Sequence, residues 1–310
     1  MTSTRPLWRI VITIAICVLM TGLTLTAQNK SDKVASKTSG KSAIGKEIAI
    51  TFDELPAART FEDVDREAIT YLLLNGLKLH GVKATGFVVG DQIQGSFDVL
   101  GKWLNDGHQL GNLTYSGQDY NSIGPEQFIR DIKMGDEALE PMLKGFGQKK
   151  RYFRYPYLHY GDIVERRRAA RLYLEDKGYI VCPATVIPED YLYNLTLGQL
   201  GKTPDSSKYE RLMNDYVNHV LDELARQAVL ADQMLGRRIR HILLLRANRL
   251  NAVFLNDLLT ALEAEGYSFI TLDKALQDKV YQKPESYYGL KGISYLEMIL
   301  QSDPDLLPAR

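Results

Sequence analysis

The chain has 310 residues, 45% of them hydrophobic and 25% charged, a globular composition that excludes a disordered or collagen-like protein and fits one large domain or two small ones. Lysine plus arginine (38) equals aspartate plus glutamate (38), so there is no overall basic field to hold a nucleic acid. Cys17 and Cys182 are the only cysteines; if the first is lost with a leader, no internal disulfide and no cysteine-based zinc site remain.

Arg5 and Arg9 precede an apolar run over 10–25, and Leu25-Thr26-Ala27 offers a small residue for cleavage. We read 1–27 as a signal peptide, which places the mature protein in the periplasm or outside the cell. The rival is an uncleaved inner-membrane anchor, because with Trp8 the run approaches the roughly 18 to 20 residues that span a bilayer; only then is the membrane a partner. Residues 28–46, rich in Lys, Ser and Gly, read as a flexible linker.

From there, strand candidates at 47–53, 85–90, 109–112, 151–157, 179–186, 242–247 and 268–272 alternate with amphipathic helices, a pattern of parallel strands with helical crossovers. Seven strands suit a closed or nearly closed barrel. Helices are predicted over 65–80, over 254–262 before Gly266, and from Pro204-Asp205-Ser206 to about Leu235. The last residues, 281–310, read as an irregular C-terminal tail packing on the body.

In parallel α/β barrels the working groups stand at the C-terminal strand ends. Here these are Thr51-Phe52-Asp53-Glu54, Gly111-Asn112-Leu113-Thr114-Tyr115-Ser116-Gly117, Arg154-Tyr155-Pro156-Tyr157 and Leu245-Arg246-Ala247-Asn248. Plainer readings exist. Asp53 and Glu54 fit an ordinary charged strand end, since neighbouring strand residues point to opposite faces. Arg154 fits a neutralising partner for Asp53. Tyr115, Tyr155, Tyr157 and Tyr191 fit either packing or the stacking of sugar faces.

These segments resemble the polysaccharide deacetylase family, the NodB-homology domains of carbohydrate esterase family four, over about 47–276. The resemblance implies a distorted (β/α)7 TIM-like barrel over 47–280 and metal-dependent hydrolysis of the acetamide C–N bond of N-acetylated oligo- or polysaccharides, with zinc or another divalent metal as the family's cofactor. It assigns Asp53 as general base and Arg154 as the residue that orients it. It also assigns the Tyr157 amide as the group facing the oxyanion, and Asp190 as the aspartate that sets up the general acid. It also exposes departures. Glu54 stands where the family has an aspartate ligand, Leu113 and Gly117 stand where it has two histidine ligands, and Arg246 stands where it has the general-acid histidine.

A catalytic zinc takes three protein ligands and one open position. Leucine and glycine offer no lone pair, so no metal cofactor is expected here. A guanidinium stays protonated and cannot give a proton to a departing amine as histidine does. Of the histidines, His80, His108, His219 and His241 fall away from the strand ends that form the mouth, and only His159 falls near it. Three readings stay open. The first is a deacetylase-fold protein, a monomer, that has lost hydrolysis and keeps a glycan cleft, with Arg246 paired to Asp190 or Asp53. The second is a metal-independent amide hydrolase using Asp53 and Arg246. The third is an envelope scaffold.

Overall fold

The computed structural model describes residues 45–59, 65–201 and 205–306. The signal peptide, and the linker up to its last two residues, lie outside them. Lys46 already belongs to the folded body: its carbonyl accepts the Ser268 N–H at 2.8 Å and its Nζ donates to the Glu265 carbonyl at 2.7 Å.

Each strand candidate overlaps a strand: β1 (Glu47–Leu55), β2 (Thr85–Val88), β3 (Gln109–Asn112), β4 (Tyr152–Phe153), β5 (Ile180–Val181), β6 (Arg240–Arg246) and β7 (Ser268–Ile270). All pair in parallel. Around them lie α1 (Arg66–Leu79), α2 (Phe97–Asn105), α3 (Pro125–Gly145), α4 (Val164–Asp176), α5 (Asp190–Gln199), α6 (Ser206–Leu235), α7 (Arg249–Ala264), α8 (Leu272–Leu276) and α9 (Tyr295–Ser302). Among the described residues no helix is long and apolar enough to cross a membrane.

The sheet runs β5-β4-β3-β2-β1-β6 and curls, and beyond β5 a single bridge, Val186 to Leu243, meets β6. β7 is not a stave of this ring. β6 pairs along 47–53 of β1, so β2 (at 51–55) and β7 (at 47–49) must share the other edge. The barrel is distorted in this sense. β4 and β5 are shorter than the runs 151–157 and 179–186 suggest, because they pair with each other over two residues only, Tyr152 and Phe153 against Ile180 and Val181.

Capping explains the helix ends. The Asp65 carboxylate accepts the Ala68 N–H at the start of α1, Asp205 accepts from Ser207 at the start of α6, and Gly236 (φ 63°) ends α6 in the left-handed region. α7 begins five residues before its apolar pattern suggests, because the Asn248 side chain accepts the Asn251 N–H and nucleates the turn there. The chain end is not irregular throughout. A capping box between Ser294 and Glu297 starts α9, and Leu296, Met298 and Ile299 are buried.

Period-two alternation in β1 divides the core. Ile48, Ile50 and Phe52 join the layer under α1 and α7, whereas Ala49 joins Phe87, Val89, Leu113, Tyr152 and Cys182 inside the ring. Asp53 continues the inner row, at the strand's C-terminal end.

Candidate active site

Arg154, at the end of β4, is wholly buried inside the ring. Its Nη1 donates to Asp53 Oδ1 at 2.7 Å and to Thr51 Oγ1 at 2.8 Å, its Nε donates to the Cys182 carbonyl at 3.0 Å, and its guanidinium lies 4.1 Å from the centre of the Phe87 ring. Thr51 can accept because its own hydroxyl donates to the Leu243 carbonyl at 2.7 Å. Asp53 is thereby locked in one orientation. Burial pushes its carboxyl above the ordinary range, and the Arg154 charge opposes that shift without reversing it.

Alternation along β1 would send Glu54 away from the ring interior. Instead Glu54 adopts φ 64°, at a register shift between Phe52 and Leu55, and its Oε1 comes 3.3 Å from Arg246 Nε at the end of β6. Arg246 Nη1 is 2.7 Å from Asp190 Oδ1, and the Arg246 backbone N–H donates to Asp190 Oδ2 at 2.7 Å. Asp190, the first residue of α5, is fully buried and also accepts from Asn248 and Asn251. Burial would lower the Arg246 pKa, but Asp190 and Glu54 hold it above its ordinary value. Burial raises Glu54, with Arg246 pulling the other way. Arg246 thus pairs with Asp190, as expected from the sequence, and with Glu54, whereas Asp53 is taken by Arg154.

The positions that the resemblance assigns to metal ligands do not fit a metal. Leu113 is 2% exposed and packs in the apolar cluster with Phe87 and Val89. Gly117 has no side chain and a φ of 68°, and the Glu54 carboxylate already faces a guanidinium. Among the described residues no group of three His, Cys, Asp or Glu is placed to hold an ion.

Over these residues lies a cleft of about 700 Å³. Asp53, Glu54, Leu113, Gly117, Tyr157, Tyr191 and Arg246 line it, while Arg154 and Asp190 act from beneath. Four of the five non-glycine residues with positive φ among the described residues, Glu54, Tyr157, Leu158 and Glu189, line it too, so backbone strain is concentrated at the mouth. In the Tyr157 turn the hydrogen bonds run from Leu158 N–H to the Tyr155 carbonyl and from His159 N–H to the Pro156 carbonyl, leaving the Tyr157 amide out of both. The Tyr157 and Tyr191 rings are largely exposed, and the Arg246 guanidinium lies 5.1 Å from the Tyr191 ring centre.

Two assignments need correction. Tyr155 is not a wall of this cleft. It is 3% exposed and stacks among Phe128, Phe153 and Tyr160, because the residue after the inward-pointing Arg154 faces the outer layer. Tyr115 is half-buried against Gly90 and likewise does not line the cleft. His159 lines the cleft, but its Nδ1 is 2.7 Å from Asp119 Oδ1. Sequence reasoning missed Arg59 and Leu290, Lys291 and Gly292, which also line the cleft. It also missed Asn251, whose capping pattern with Asn248 was the available signal.

Residues 40–175 match the polysaccharide deacetylase family. Over 121 residues the chain is 32% identical to the peptidoglycan-N-acetylglucosamine deacetylase of Bacillus cereus, covering 39% of this chain and 38% of that protein. Over 129 residues it is 30% identical to a chitin deacetylase of Arthroderma benhamiae, covering 41% and 32%. The chain thus matches about a third of the length of these curated relatives. A solved CE4 family pseudoenzyme from Bacillus anthracis superposes with a TM-score of 0.51 at 15% identity, over 75% of this chain and 66% of that one, a likeness of fold.

Proposed function

The chain belongs to the polysaccharide deacetylase family through a NodB-type domain, and from that premise we propose that it binds an N-acetylated glycan in the cleft over Asp53 without carrying out metal-dependent deacetylation. One observation carries the reading: the Arg246 guanidinium, held between Asp190 and Glu54, occupies the general-acid position itself and pairs with the carboxylate at a metal-ligand position. A fixed cation there neutralises the inherited carboxylates and cannot cycle a proton. Asp53, Arg154 and the Tyr157 amide remain as a base, its anchor and an oxyanion donor. One such donor contributes only about 3 to 4 kcal/mol, which leaves attack by unactivated water on an amide very slow. Tyr157 and Tyr191 are the stacking surfaces for the sugar.

The substrate class rests on the names of the relatives, peptidoglycan and chitin deacetylases. Such a polymer is met outside the cytoplasm, in keeping with 1–27 as an export signal and 47–280 as the glycan-binding domain. Burial of Leu296 and Ile299 supports 281–310 as a tail packed on that domain.

The test is a comparison of the protein with its Glu54→Asp, Leu113→His, Gly117→His, Arg246→His version. We expect chito-oligosaccharide binding by both, weakened about tenfold by Tyr191→Ala, with zinc binding and acetate release only in the substituted protein. Gly117→His places a side chain at positive φ, a cost of about 1 kcal/mol, so folding is checked by circular dichroism. Acetate release by the unsubstituted, chelator-treated protein, lost on Asp53→Asn, would instead establish metal-independent hydrolysis.

A further inference from the structure

A short turn over Gly90–Gln92 follows β2 and is strapped to the loop that runs from Leu113 to Gly117: the Gly90 N–H donates to the Thr114 carbonyl at 3.0 Å and the Asp91 N–H to the Tyr115 carbonyl at 2.9 Å. Gln92, the last residue of this turn, lines the cleft with Leu113 and Gly117. It is 2% exposed, and its Nε2 is buried without a hydrogen-bond partner among the described residues. We propose that the Gln92 side-chain amide is a specificity determinant of the cleft, donating to the carbonyl oxygen of the acetamido group of a bound sugar. This role rests on the cleft being the site of an N-acetylated glycan.

A buried amide N–H without an acceptor is unfavourable, and most such groups in folded proteins are paired. The guanidiniums around the cleft are already taken: Arg246 by Asp190 and Glu54, Arg154 by Asp53, and Arg59 by Asp91. Lys291 is exposed on the rim. Gln92 therefore differs from these cations in being a neutral, desolvated donor that the fold leaves without an acceptor.

Such a donor suits a neutral acceptor, because an anionic group would meet Asp53 and Glu54 in the same cleft and find all three guanidiniums committed. On an N-acetylated sugar the acetamido oxygen is the carbonyl, an acceptor with two lone pairs, whereas each hydroxyl turns to donate or accept. There is room for it beside the turn. A Cβ built on Gly117 would have only Val89 within 4 Å among the described residues, at 3.4 Å, so the ground that an imidazole would cover there is open. With no hydrogen bond on Nε2, rotation about the side-chain torsions of Gln92 carries the amide toward that space.

The test uses the full chain and its Gln92→Met variant, which keeps an unbranched side chain of similar length and removes the amide. Calorimetric titration with chito-oligosaccharide is set against cello-oligosaccharide of equal length, in which a hydroxyl replaces each acetamido group. The parent should bind the chito-oligosaccharide more tightly. Gln92→Met should lose about tenfold on it and nothing on the cello-oligosaccharide, whereas Tyr191→Ala, which removes a stacking face, should weaken both. The Met variant should unfold at or above the temperature of the parent, because it deletes a buried donor that has no partner. Chito-oligosaccharide affinity unchanged in Gln92→Met, as when an enclosed water satisfies the amide, an equal loss on both sugars, or a lowered melting temperature would each overturn the role of Gln92 alone. A parent that binds neither oligosaccharide would remove the glycan site itself, and this role with it.

Discussion

Arg246 holds Asp190 from two directions, its backbone N–H on Oδ2 and its Nη1 on Oδ1, both at 2.7 Å. The aspartate that would orient a histidine in the family's general acid here fastens a guanidinium, and through it Glu54. Because Asp190 is fully buried, removing the arginine leaves a carboxylate with only neutral donors from Asn248, Asn251 and the backbone. Arg246→Ala should therefore cost about 2 to 3 kcal/mol in chemical denaturation. Asp190→Asn in the same background should return part of it. A loss under about 0.5 kcal/mol, the scale of an ordinary surface substitution, would show that the pair is not structural.

Arg154 spends its guanidinium on Asp53, Thr51 and two backbone carbonyls, those of Cys182 and Pro183. Lysine offers three donors from one point and cannot span that set. Arg154→Lys should destabilise the protein by about 3 kcal/mol or more, read as a lowered midpoint in urea. A midpoint within error of the parent would refute the anchoring role.

Gly292 passes so close to the Tyr157 turn that an added Cβ would stand 1.9 Å from the Tyr157 carbonyl oxygen. Gly292→Ala must push the tail or the turn aside, at a cost of about 1 to 3 kcal/mol. Since Tyr157 lines the cleft, affinity for chito-oligosaccharide should fall along with the melting temperature. Unchanged affinity in a destabilised variant would separate the tail from the glycan site.

His108 and His241 are buried, and burial lowers the pKa of each to about 4. The Lys83 charge adds to the effect at His108. Between that value and the unfolded one near 6.5 the unfolded chain binds protons that the folded chain does not. Stability that is present above about pH 6.5 is therefore lost as pH falls, by on the order of 2 kcal/mol per histidine between pH 7 and 5. Asp53 and Glu54 work in the opposite direction, since their raised pKa values let the folded state take up protons first. Melting temperatures of the parent and of His241→Asn at both pH values isolate the histidine contribution; equal slopes would exclude His241.

Much of the ring was legible because parallel strands buried on both faces read as short apolar runs between amphipathic helices, and 109–112 was read to the residue. The lengths of β4 and β5 were not legible, since pairing partners and not propensity end a two-residue strand. The start of α7 was hidden by capping. The role of Tyr155 was misread because a tyrosine beside a strand end looks alike whether it faces the cleft or the layer behind it.

The sequence by itself determined which groups are available: Leu113 and Gly117 without side-chain lone pairs, Arg246 protonated at any working pH, and Asp53 and Arg154 retained. Those are properties of covalent structure, and no fold alters them. Only the tertiary structure decided who meets whom. A left-handed residue at Glu54 turned an outward carboxylate toward Arg246, and contacts across 56 residues closed Asp190 onto Arg246. The C-terminal segment supplied one wall of the cleft, through Leu290, Lys291 and Gly292. Such meetings depend on backbone angles and long-range packing, which residue order along the chain encodes only collectively.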